Sequence, residues 1–525
     1  MAQSGELGGI DMKTVIGVDF GTREARALLA DAETGTVLRS AAVRYPHGVM
    51  PGDLADIGDY DDALAALLEA MAAPEYRRSI AGICVDATSL TLVPLAGDGR
   101  VLCRVPGFES AEQAQVKLWK RHAAQPQADE AQALARAMDM PFLGRTGGVI
   151  SSEWSLPKLL EMRDKAPELY RETDLAPDMS EYMTLCLTGR LTRAVGSLGY
   201  KGLWFDDLGF PEARYLDALR PGFAGEYAHL MRGTRLRPGE RAGTLCDAWM
   251  KRLGLEQPVA VACGAIDAHT GMSALGAFGE GDVALIVGTS NVVCIQAGAL
   301  REIGGICGIV HDGMAPGLYG IEAGQNCAGD MLEWYVRNAV PAQVAREAED
   351  RDVSVHQVLC ERVREPWRCG VSVADWWNGS RSAPCDLKLT GRISGLTLAT
   401  RPEDLYLGLL QGIVCGTRSI LELCEGAGLP VKRVVATGGM AQKNPLLMGQ
   451  YANLLHCEIA VGDMAEGPAL GAAIHAAVAA GIHPTLAEAH AHMGVRRFTV
   501  YRPEPERAEA YEALYQRNRE LREER

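Results

Sequence analysis

The chain has 525 residues, of which 47% are hydrophobic and 23% are charged. These proportions exclude disordered, collagen-like and coiled-coil proteins, and the length allows two to four domains. The 67 acidic and 52 basic side chains give a net charge of −15, so we expect no nucleic acid partner and no acidic membrane partner. Gly is frequent, with 59 residues, and aromatic residues make up only 6%, which favours a large α/β enzyme rich in tight turns.

The cysteines and the apolar segments indicate a soluble protein of the cytoplasm. The 14 cysteines contain no Cys-x-x-Cys pair and no cluster at zinc-ligand spacing, as expected for buried thiols in a reducing compartment. Residues 1–12 are polar and Gly-rich and lack the features of a secretory signal, so a flexible leader is predicted. The longest run of small apolar residues, 467–482, is shorter than the about 20 residues that span a bilayer.

The N-terminal part of the chain predicts a β-β-β-α-β unit. Apolar strands are expected in VIGVDF, EARALLADA and TVLRSAAVRY, an amphipathic helix in DYDDALAALLEAMA, and a further strand in IAGICVDA. A similar opening, DVALIVGTSNVVCIQAG, recurs about 270 residues later, which indicates a duplicated domain.

The repeat sets the predicted domain boundaries. We expect one domain over 13–265, with a helix-rich insertion at about 111–255, and a second over 266–501. The charged segment 502–525 is predicted to be a solvated, helical tail.

Two turns of the repeated unit have the composition of phosphate-binding hairpins. Asp19, Phe20, Gly21 and Thr22 combine a carboxylate at the end of a buried strand with a Gly that allows close backbone approach and with a hydroxyl. The segment 288–290, Gly-Thr-Ser, occupies the equivalent place in the second copy. Each could be an ordinary hairpin turn, but together they predict two hairpins that grip a polyphosphate from opposite sides of a cleft.

A third Gly cluster, Gly438-Gly439, follows the predicted strand RVVAT at a strand-to-helix turn. Backbone without side chains can pass flat against a nucleotide there, although a simple turn has the same pattern. The chain has neither a Walker A motif nor a G-x-G-x-x-G fingerprint. Two phosphate hairpins and a diglycine turn instead favour an actin-like ATPase architecture.

Several longer segments resemble one family. ATGGMAQKNPLLMGQYAN is similar to the C-terminal signature of the FGGY carbohydrate kinases, and GPALGAAIHAAVAAG to the helix that follows it. Within that family the ribulokinase branch is most similar, through segments that occur in the same order, namely DFGTREARALL, GGVISSEW, GYKGLW, GAIDAHTG, VGTSN, EAGQNCAGD and DWWNGSRS. The resemblance extends from about Lys13 to Tyr501. It implies an α/β fold of two ribonuclease-H-like domains, of the actin/hexokinase/Hsp70 ATPase type, with an interdomain cleft.

The resemblance also implies roles for individual residues. Asp267 would be the general base, although its place also suits a helix N-cap, and Asp19 would hold Mg²⁺ through water. ATP would be bound at its phosphates by Gly21, Thr22, Gly288, Thr289 and Ser290, and at its adenosine by Gly438, Gly439 and Asn444. The sugar would be bound by Ser89, Lys201, Asp267 and Glu322, with Gln325 and Trp376 as further neighbours and His269 as a structural residue.

Some positions depart from the family pattern. Arg23 and Glu24 follow the first phosphate turn where the family more often has an acidic or small polar residue and a Ser. Glu181 and Tyr182 stand where the family commonly has Asp-Trp, and Ser89 replaces a small residue. These departures leave phosphoryl transfer in place and the identity of the sugar open.

The resemblance therefore implies an ATP- and Mg²⁺-dependent kinase of a ketopentose, with L-ribulose and its 5-hydroxyl as the first expectation. D-ribulose, a xylulose or a tetrulose would require the same fold with a different sugar pocket. A sugar-sensing or assembly protein on this scaffold is a third reading, since a fold does not determine a function. The sequence leaves the oligomeric state open, although a homodimer is common among the proteins that it resembles.

Overall fold

The structure is a computed structural model that describes residues 12–464 and 466–524. The flexible leader that we predict over residues 1–12 falls, except for Met12, outside the described residues.

The chain folds into strands and helices that alternate along most of its length. The β-strands are β1 (Thr14–Phe20), β2 (Glu24–Asp31), β3 (Val37–Arg44), β4 (Leu54–Ala55), β5 (Ile80–Ala87), β6 (Leu95–Ala96), β7 (Val116–Lys117), β8 (Thr173–Leu175), β9 (Thr192–Ala194), β10 (Thr234–Leu236), β11 (Arg241–Thr244), β12 (Ala260–Ala262), β13 (Ala265–Ile266), β14 (Asp282–Val287), β15 (Asn291–Ala297), β16 (Gly308–His311), β17 (Tyr319–Gln325), β18 (Ser372–Ala374), β19 (Arg392–Ser394), β20 (Arg433–Thr437), β21 (Ile459–Gly462) and β22 (Phe498–Tyr501). The α-helices are α1 (Ile57–Met71), α2 (Gln125–Ala137), α3 (Ser155–Lys165), α4 (Pro167–Glu172), α5 (Met179–Thr188), α6 (Val195–Gly202), α7 (Ala213–Leu219), α8 (Phe223–Leu230), α9 (Asp247–Leu253), α10 (Asp267–Leu275), α11 (Gly329–Asn338), α12 (Ala342–Asp350), α13 (Val355–Arg362), α14 (Pro402–Gly426), α15 (Gly439–Lys443), α16 (Pro445–Leu455), α17 (Gly467–Ala479), α18 (Leu486–Met493) and α19 (Ala508–Glu523).

Two large mixed sheets repeat one arrangement. In the first, with the order β11-β12-β5-β1-β2-β3, β1 is antiparallel to β2 and parallel to β5. In the second, with the order β16-β17-β15-β14-β20-β21-β22, β14 is antiparallel to β15 and parallel to β20. All seven residues of β1 are buried, which explains why its sequence is a continuous apolar run rather than an alternating one. The strands that we predict from the two similar openings are confirmed.

The helix-rich segment predicted as an insertion at about 111–255 contributes to the first sheet. Its strand β11 pairs with β12 as the edge of that sheet, and its helix α5 packs against β5. The short strands and small helices between these elements form additional layers around the sheet. The sequence indicated the helices but not the return of the chain to the sheet, because β11 is only four residues long.

Helices α10 and α17 lie between the two sheets and pack against each other and, through α17, on β1 and β5. The contacts are so close that backbone touches backbone. A Cβ atom at Gly17 in β1 would lie 1.8 Å from the carbonyl oxygen of Ala469, and one at Gly471 in α17 would lie 1.8 Å from that of Thr270 in α10. These approaches require Gly, and they agree with the many small residues in the segment 467–482.

The apolar core has three main parts. One lies between the sheets around α10 and α17, one on the outer face of the first sheet under α1, and one on the outer face of the second sheet under α14. Helix α14 is long and apolar enough to span a membrane by length and composition, but 78% of its apolar window is buried inside the protein. Such burial is typical of a core helix.

The C-terminal segment is helical, but the prediction that it is solvated is wrong. One face of α19 packs on α16 and β18, burying Tyr511, Leu514 and Tyr515. Near its end, the buried Arg522 donates to the carboxylate of Asp375 and lies over the ring of Trp376, with 5.3 Å between the guanidinium carbon and the ring centroid. The prediction failed because the segment is mostly charged and only a narrow stripe of apolar residues on one helix face is buried.

Replacement of Arg522 should therefore destabilise the protein. We expect Arg522→Ala to reduce the free energy of unfolding by about 3–5 kcal/mol, because it leaves the buried carboxylate of Asp375 without its cation. Arg519→Ala, which removes an exposed ion pair with Glu523 on the same helix, should change it by less than about 0.5 kcal/mol. Urea unfolding of the two variants measures the difference, and equal stabilities would show that α19 is not anchored in this way.

Candidate active site

Three carboxylates meet at one edge of the first sheet. Asp19 and Asp86 lie near the ends of the parallel strands β1 and β5 and are paired directly in register. Asp267 is the first residue of α10, which begins where β13 ends beside β5. The carboxyl ends of neighbouring parallel strands form the usual ligand-binding edge of an open α/β sheet.

Burial and mutual repulsion shift the pKa values of these carboxyl groups upwards. Burial raises the pKa of Asp267 to about 8, and the negative charge of Asp19 adds to the effect. Burial and the charge of Asp19 raise the pKa of Asp86 well above its usual range, despite a hydrogen bond of 2.7 Å from Thr270 Oγ1. The pKa of Asp19 is also raised by burial, and Arg26, at 3.7 Å, offsets this only in part. The cluster therefore favours protons or a bound cation.

A buried ion pair faces this cluster from the second sheet. Lys201 Nζ on α6 donates to Glu322 Oε1 on β17 at 3.0 Å, and His269 Nε2 on α10 lies 3.1 Å from Glu322 Oε2. Burial raises the pKa of Glu322, but Lys201 and His269 together lower it more, so that its pKa lies below the usual range. The negative charge of Glu322 contributes to the raised pKa of Asp267. The structure thus brings together Lys201, Asp267 and Glu322, three of the four residues that the resemblance implies for the sugar.

Ser89, the fourth predicted sugar residue, follows β5 by two positions. Its Oγ is buried and has no hydrogen-bond partner among the described residues. The next residue, Leu90, has a φ of 41°, and its carbonyl oxygen accepts a 3.1 Å hydrogen bond from the buried Lys158 Nζ. The loop is therefore held in a strained conformation by a buried lysine, with a hydroxyl left free for a ligand.

A cleft of about 1130 Å³ lies beside the second sheet. Four of the residues predicted to bind ATP line it, namely Gly288, Thr289, Gly439 and Asn444. Its other walls come from the starts of α11 and α16 and from α13. Gly438 adjoins it and has a φ of 104°, and a Cβ there would lie 2.5 Å from the carbonyl oxygen of Val287. Asn444 caps α16, its Oδ1 accepting from Leu447 N at 3.0 Å.

The first phosphate hairpin belongs to the other sheet and does not line this cleft. Thr22 Oγ1 accepts a 3.2 Å hydrogen bond from Trp119 Nε1. Burial raises the pKa of Asp330 in the wall of the cleft, and the positive charges of Lys120 and Arg23 partly offset the shift. Residues beside the first hairpin therefore act electrostatically on this cleft. Ser290, beyond Thr289, also lies outside the cleft lining.

Sequence reasoning missed Asp86. Its signal was present, because GVDF and CVDA end two strands with the same Val-Asp pair, and parallel strands of one unit bring such ends together. Asp86 Oδ1 is buried and has no hydrogen-bond partner among the described residues. An orphaned carboxylate oxygen beside Asp19 suits a hard divalent cation such as Mg²⁺, so the residues present fit this metal.

The expectation that Gln325 and Trp376 adjoin the sugar site is wrong. Gln325 is three residues from Glu322 on one strand and therefore faces the opposite side of the sheet. There Asn291 Nδ2 donates to Gln325 Oε1 at 3.0 Å, and Gln325 itself donates to Asp375 at 2.5 Å. Trp376 packs on Arg522.

Glu181 and Tyr182, which depart from the family pattern, are used within the protein. Glu181 forms a capping box with Asp178 at the start of α5 and lies 3.1 Å from Arg193 Nε. The hydroxyl of Tyr182 donates to Asp61 at 3.4 Å. The Glu at position 181 thus holds α5 to its neighbours.

Comparison with known proteins places the chain in a family. A model of the FGGY family of carbohydrate kinases, C-terminal domain, matches residues 283–480. The ribulokinase of Anoxybacillus flavithermus is 37% identical, with 96% of this chain and 93% of the relative covered. The ribulokinase of Mycolicibacterium smegmatis is 39% identical, with coverages of 96% and 92%.

Solved structures support the fold. The xylulose kinase of Rhodospirillum rubrum matches with a TM-score of 0.81 at 21% identity, over 97% of this chain and 98% of the other. The Plasmodium falciparum glycerol kinase with ADP matches with a TM-score of 0.76 at 16% identity, over the same shares. The chain belongs to the FGGY family of carbohydrate kinases and is an ATP-dependent sugar kinase of the two-domain actin/hexokinase type.

Proposed function

We propose that this chain is a ribulokinase, which transfers the γ-phosphate of ATP to the 5-hydroxyl of L-ribulose and yields L-ribulose 5-phosphate and ADP. The observation that carries the proposal is the meeting of Asp267, whose pKa is raised, with the Lys201–Glu322 ion pair. A proton acceptor thus lies beside polar groups suited to hydroxyls. The names of the full-length relatives support ribulose as the sugar.

Asp267 is the general base of the proposed reaction. The sugar oxygen O5 forms a bond to the γ-phosphorus while the bond from that phosphorus to the β,γ-bridging oxygen breaks and ADP leaves. The proton of the hydroxyl passes to the carboxylate of Asp267. A base whose pKa is near the working pH both accepts this proton and remains ionised often enough to do so.

The two hairpins and the diglycine turn bind ATP in this proposal. Backbone N–H groups at Thr22, Thr289 and Ser290 donate to the phosphates, and the Thr and Ser hydroxyls add to them. Gly21 and Gly288 close the two hairpins, since their N–H groups donate to Glu24 O and Ser290 O at 3.0 Å. Gly438, Gly439 and Asn444 line the adenosine site, where the absence of side chains lets backbone lie flat on the base. The cleft of about 1130 Å³ has the size for a nucleotide.

Asp19 and Asp86 are the residues that would hold Mg²⁺, Asp19 through water. The bound ion would neutralise charge on the phosphates as phosphoryl transfer proceeds. Asp86 Oδ1, which lacks a partner, is the atom with free capacity for the metal or its water shell. Occupation of this place by a cation would also relieve the repulsion between the buried carboxylates.

Lys201, Glu322 and Ser89 recognise the sugar. The carboxylate of Glu322 is kept charged by Lys201 and His269, so it accepts hydrogen bonds from sugar hydroxyls, while Lys201 and Ser89 donate. Polar groups left unpaired by a wrong sugar would reduce its affinity, which gives the pocket specificity.

We also infer a cytoplasmic enzyme, since the 14 cysteines are free, as in a reducing compartment. A homodimer stays a prediction.

The sugar is tested by initial rates with L-ribulose, D-ribulose, both xyluloses and a tetrulose, followed through ADP release. We expect kcat/KM to be highest for L-ribulose, by at least about tenfold over the others. A higher kcat/KM for another ketose would show that the proposed sugar is wrong and that the proposed kinase activity is correct. Absence of turnover with every ketose would overturn the proposed function.

Asp267→Asn should lower kcat by about 10²–10⁴-fold without a comparable change in KM, because the general base is lost. It should also stabilise the fold at alkaline pH. The pKa of the Asp267 carboxyl rises from 3.8 in the unfolded chain to about 8 in the folded protein, so the free energy of unfolding falls as the pH increases between these two values. Asn does not ionise, so the variant avoids this loss. Melting temperatures at pH 5 and pH 8.5 measure the effect, and a variant that is inactive because it is misfolded would melt lower at both.

Lys201→Met should raise KM for the ketose by at least about tenfold and leave KM for ATP within about threefold. It should also destabilise the protein, because Glu322 loses its cation. The double variant Lys201→Met/Glu322→Gln should regain stability but not sugar affinity, which separates the two effects. Lys251→Met, at an exposed lysine, is the control, and an unchanged KM for the ketose in Lys201→Met would remove Lys201 from the site.

Asp86→Asn should weaken binding of the divalent cation. We expect the dissociation constant of Mn²⁺ in the presence of ADP, measured from the electron paramagnetic resonance signal of free Mn²⁺, to rise by about 10–100-fold. Glu33→Gln, at an exposed carboxylate, should leave it unchanged. Equal Mn²⁺ affinities in the parent and Asp86→Asn would show that Asp86 does not hold the metal.

A further inference from the structure

The segment DWWNGSRS, 375–382, is only partly explained by the packing of its first residues. Asp375 and Trp376 anchor α19 through Arg522, and Trp377 stacks edge-to-face with Trp334 at 4.8 Å between ring centroids. Arg381 has no ion pair among the described residues. Its placement therefore needs another explanation.

The guanidinium of Arg381 lies against β17. Its Nη2 donates to the carbonyl oxygen of Asn291 at 2.8 Å, and a Cβ added at Gly324 would lie 2.5 Å from the same nitrogen. Gly324 N in turn donates to Ser382 Oγ at 3.0 Å, which ties the loop of Arg381 to the strand. Only a glycine at position 324 leaves room for the guanidinium here.

The face of the sheet on which Arg381 lies is the face of the sugar site. Gly324 is two residues from Glu322 on one strand, so both point to the same side. Gly324 is paired with Val292, and Asn291 directly follows the phosphate hairpin 288–290. The guanidinium therefore lies between this hairpin and Glu322, the two places proposed for the phosphates and for the sugar.

Backbone hydrogen bonds connect the loop of Arg381 to the first half of the chain. Ala383 N donates to Gly305 O at 3.0 Å, and Gly305 N donates to Gly147 O at 3.0 Å. Gly147 belongs to the segment that leads into SSEW, 151–154, in the first half of the chain. The loop of Arg381 thus reaches the cleft between the two halves.

The hydrogen-bonding capacity of Arg381 is mostly unused. A guanidinium has five N–H donors, and Arg381 Nε is buried without a partner among the described residues. Its positive charge extends to the thiol of Cys307, where it partly offsets the increase in pKa caused by burial, beside Lys201 and Glu322. A planar cation fixed in this way suits the oxygens of a phosphoryl group.

We propose that Arg381 is a catalytic residue that donates hydrogen bonds to the γ-phosphoryl group while it moves from ATP to the sugar oxygen. The inference rests on the proposed kinase function. Arg381 takes no proton: the hydroxyl proton goes to Asp267, and ADP is the leaving group. Because the guanidinium is held in place before the substrates bind, its charge acts on the transition state without reorganisation.

Three variants test this role in the full-length protein with the ketose that gives the highest kcat/KM. Arg381→Ala should lower kcat by about 10²–10³-fold and change KM for ATP and for the ketose by less than about threefold. Arg381→Lys should recover only a small part of kcat, since an ammonium cannot donate as a fork. Arg346→Ala, at an exposed arginine on α12, should match the parent.

Two further measurements distinguish a role of Arg381 in phosphoryl transfer from a role in holding its loop in place. Guanidinium chloride at millimolar concentration should raise the kcat of Arg381→Ala and leave that of the parent unchanged. ADP with aluminium fluoride and ketose, which imitates the transferred group, should bind Arg381→Ala at least about tenfold more weakly than the parent, while ADP alone binds both equally.

The proposal is overturned if Arg381→Ala keeps kcat within about threefold of the parent. It is also overturned if kcat falls together with the melting temperature, guanidinium gives no recovery and the affinity for ADP with aluminium fluoride is unchanged. If Arg381→Ala does not fold, a fully active Arg381→Lys would overturn it. A parent without kinase activity would overturn the proposed function and this inference together, whereas an active parent with an active Arg381→Ala would overturn the inference alone.

Discussion

The meeting of three carboxylates, two buried and one half-buried, at one edge of the first sheet is the constraint around which the site is arranged. Asp19, Asp86 and Asp267 meet because β1 and β5 are parallel and in register, and because α10 begins where β13 leaves β5. Burial raises the pKa of all three groups, and the charge of Asp19 raises the pKa of Asp86 and of Asp267 further, so the cluster favours protons or a cation. The chain carries a net charge of −15, and in the proposed complex a metal would offset both the charges of these carboxylates and those of the polyphosphate.

Close packing of backbone keeps this cluster in place. Gly471 lets α17 touch the carbonyl of Thr270, and the hydroxyl of Thr270 donates to Asp86 Oδ2. Gly17, two residues before Asp19, lets the same helix touch β1. Some of the frequent Gly residues therefore serve the contacts of α17 with α10 and β1. A larger side chain at either glycine would move a carboxylate as well as a helix.

The sequence predicted the elements that depend on local pattern and failed where distant segments meet. Apolar runs and Gly turns predicted the strands and both hairpins, and the family resemblance pointed to Asp267, Lys201 and Glu322. Gln325 was assigned to the wrong face although its spacing of three from Glu322 excluded it. Arg381 is positioned by its contact with Asn291, and Arg522 by its contact with Asp375. Both partners are far away in the chain, and no local sequence pattern predicts such contacts.

Two carboxylates of the site have opposite electrostatic surroundings, and this difference supports the roles proposed for them. Burial and like charges raise the pKa of Asp267 to about 8, whereas Lys201 and His269 keep that of Glu322 below its usual range. Glu322 is therefore a permanent anion that can only accept hydrogen bonds, and Asp267 can exchange a proton near neutral pH. If the two environments were exchanged, the proposed sugar site would lose its permanent acceptor and the proposed reaction would lose its base. The separation depends on α10, which carries Asp267 and, two residues later, the histidine that helps to keep Glu322 charged.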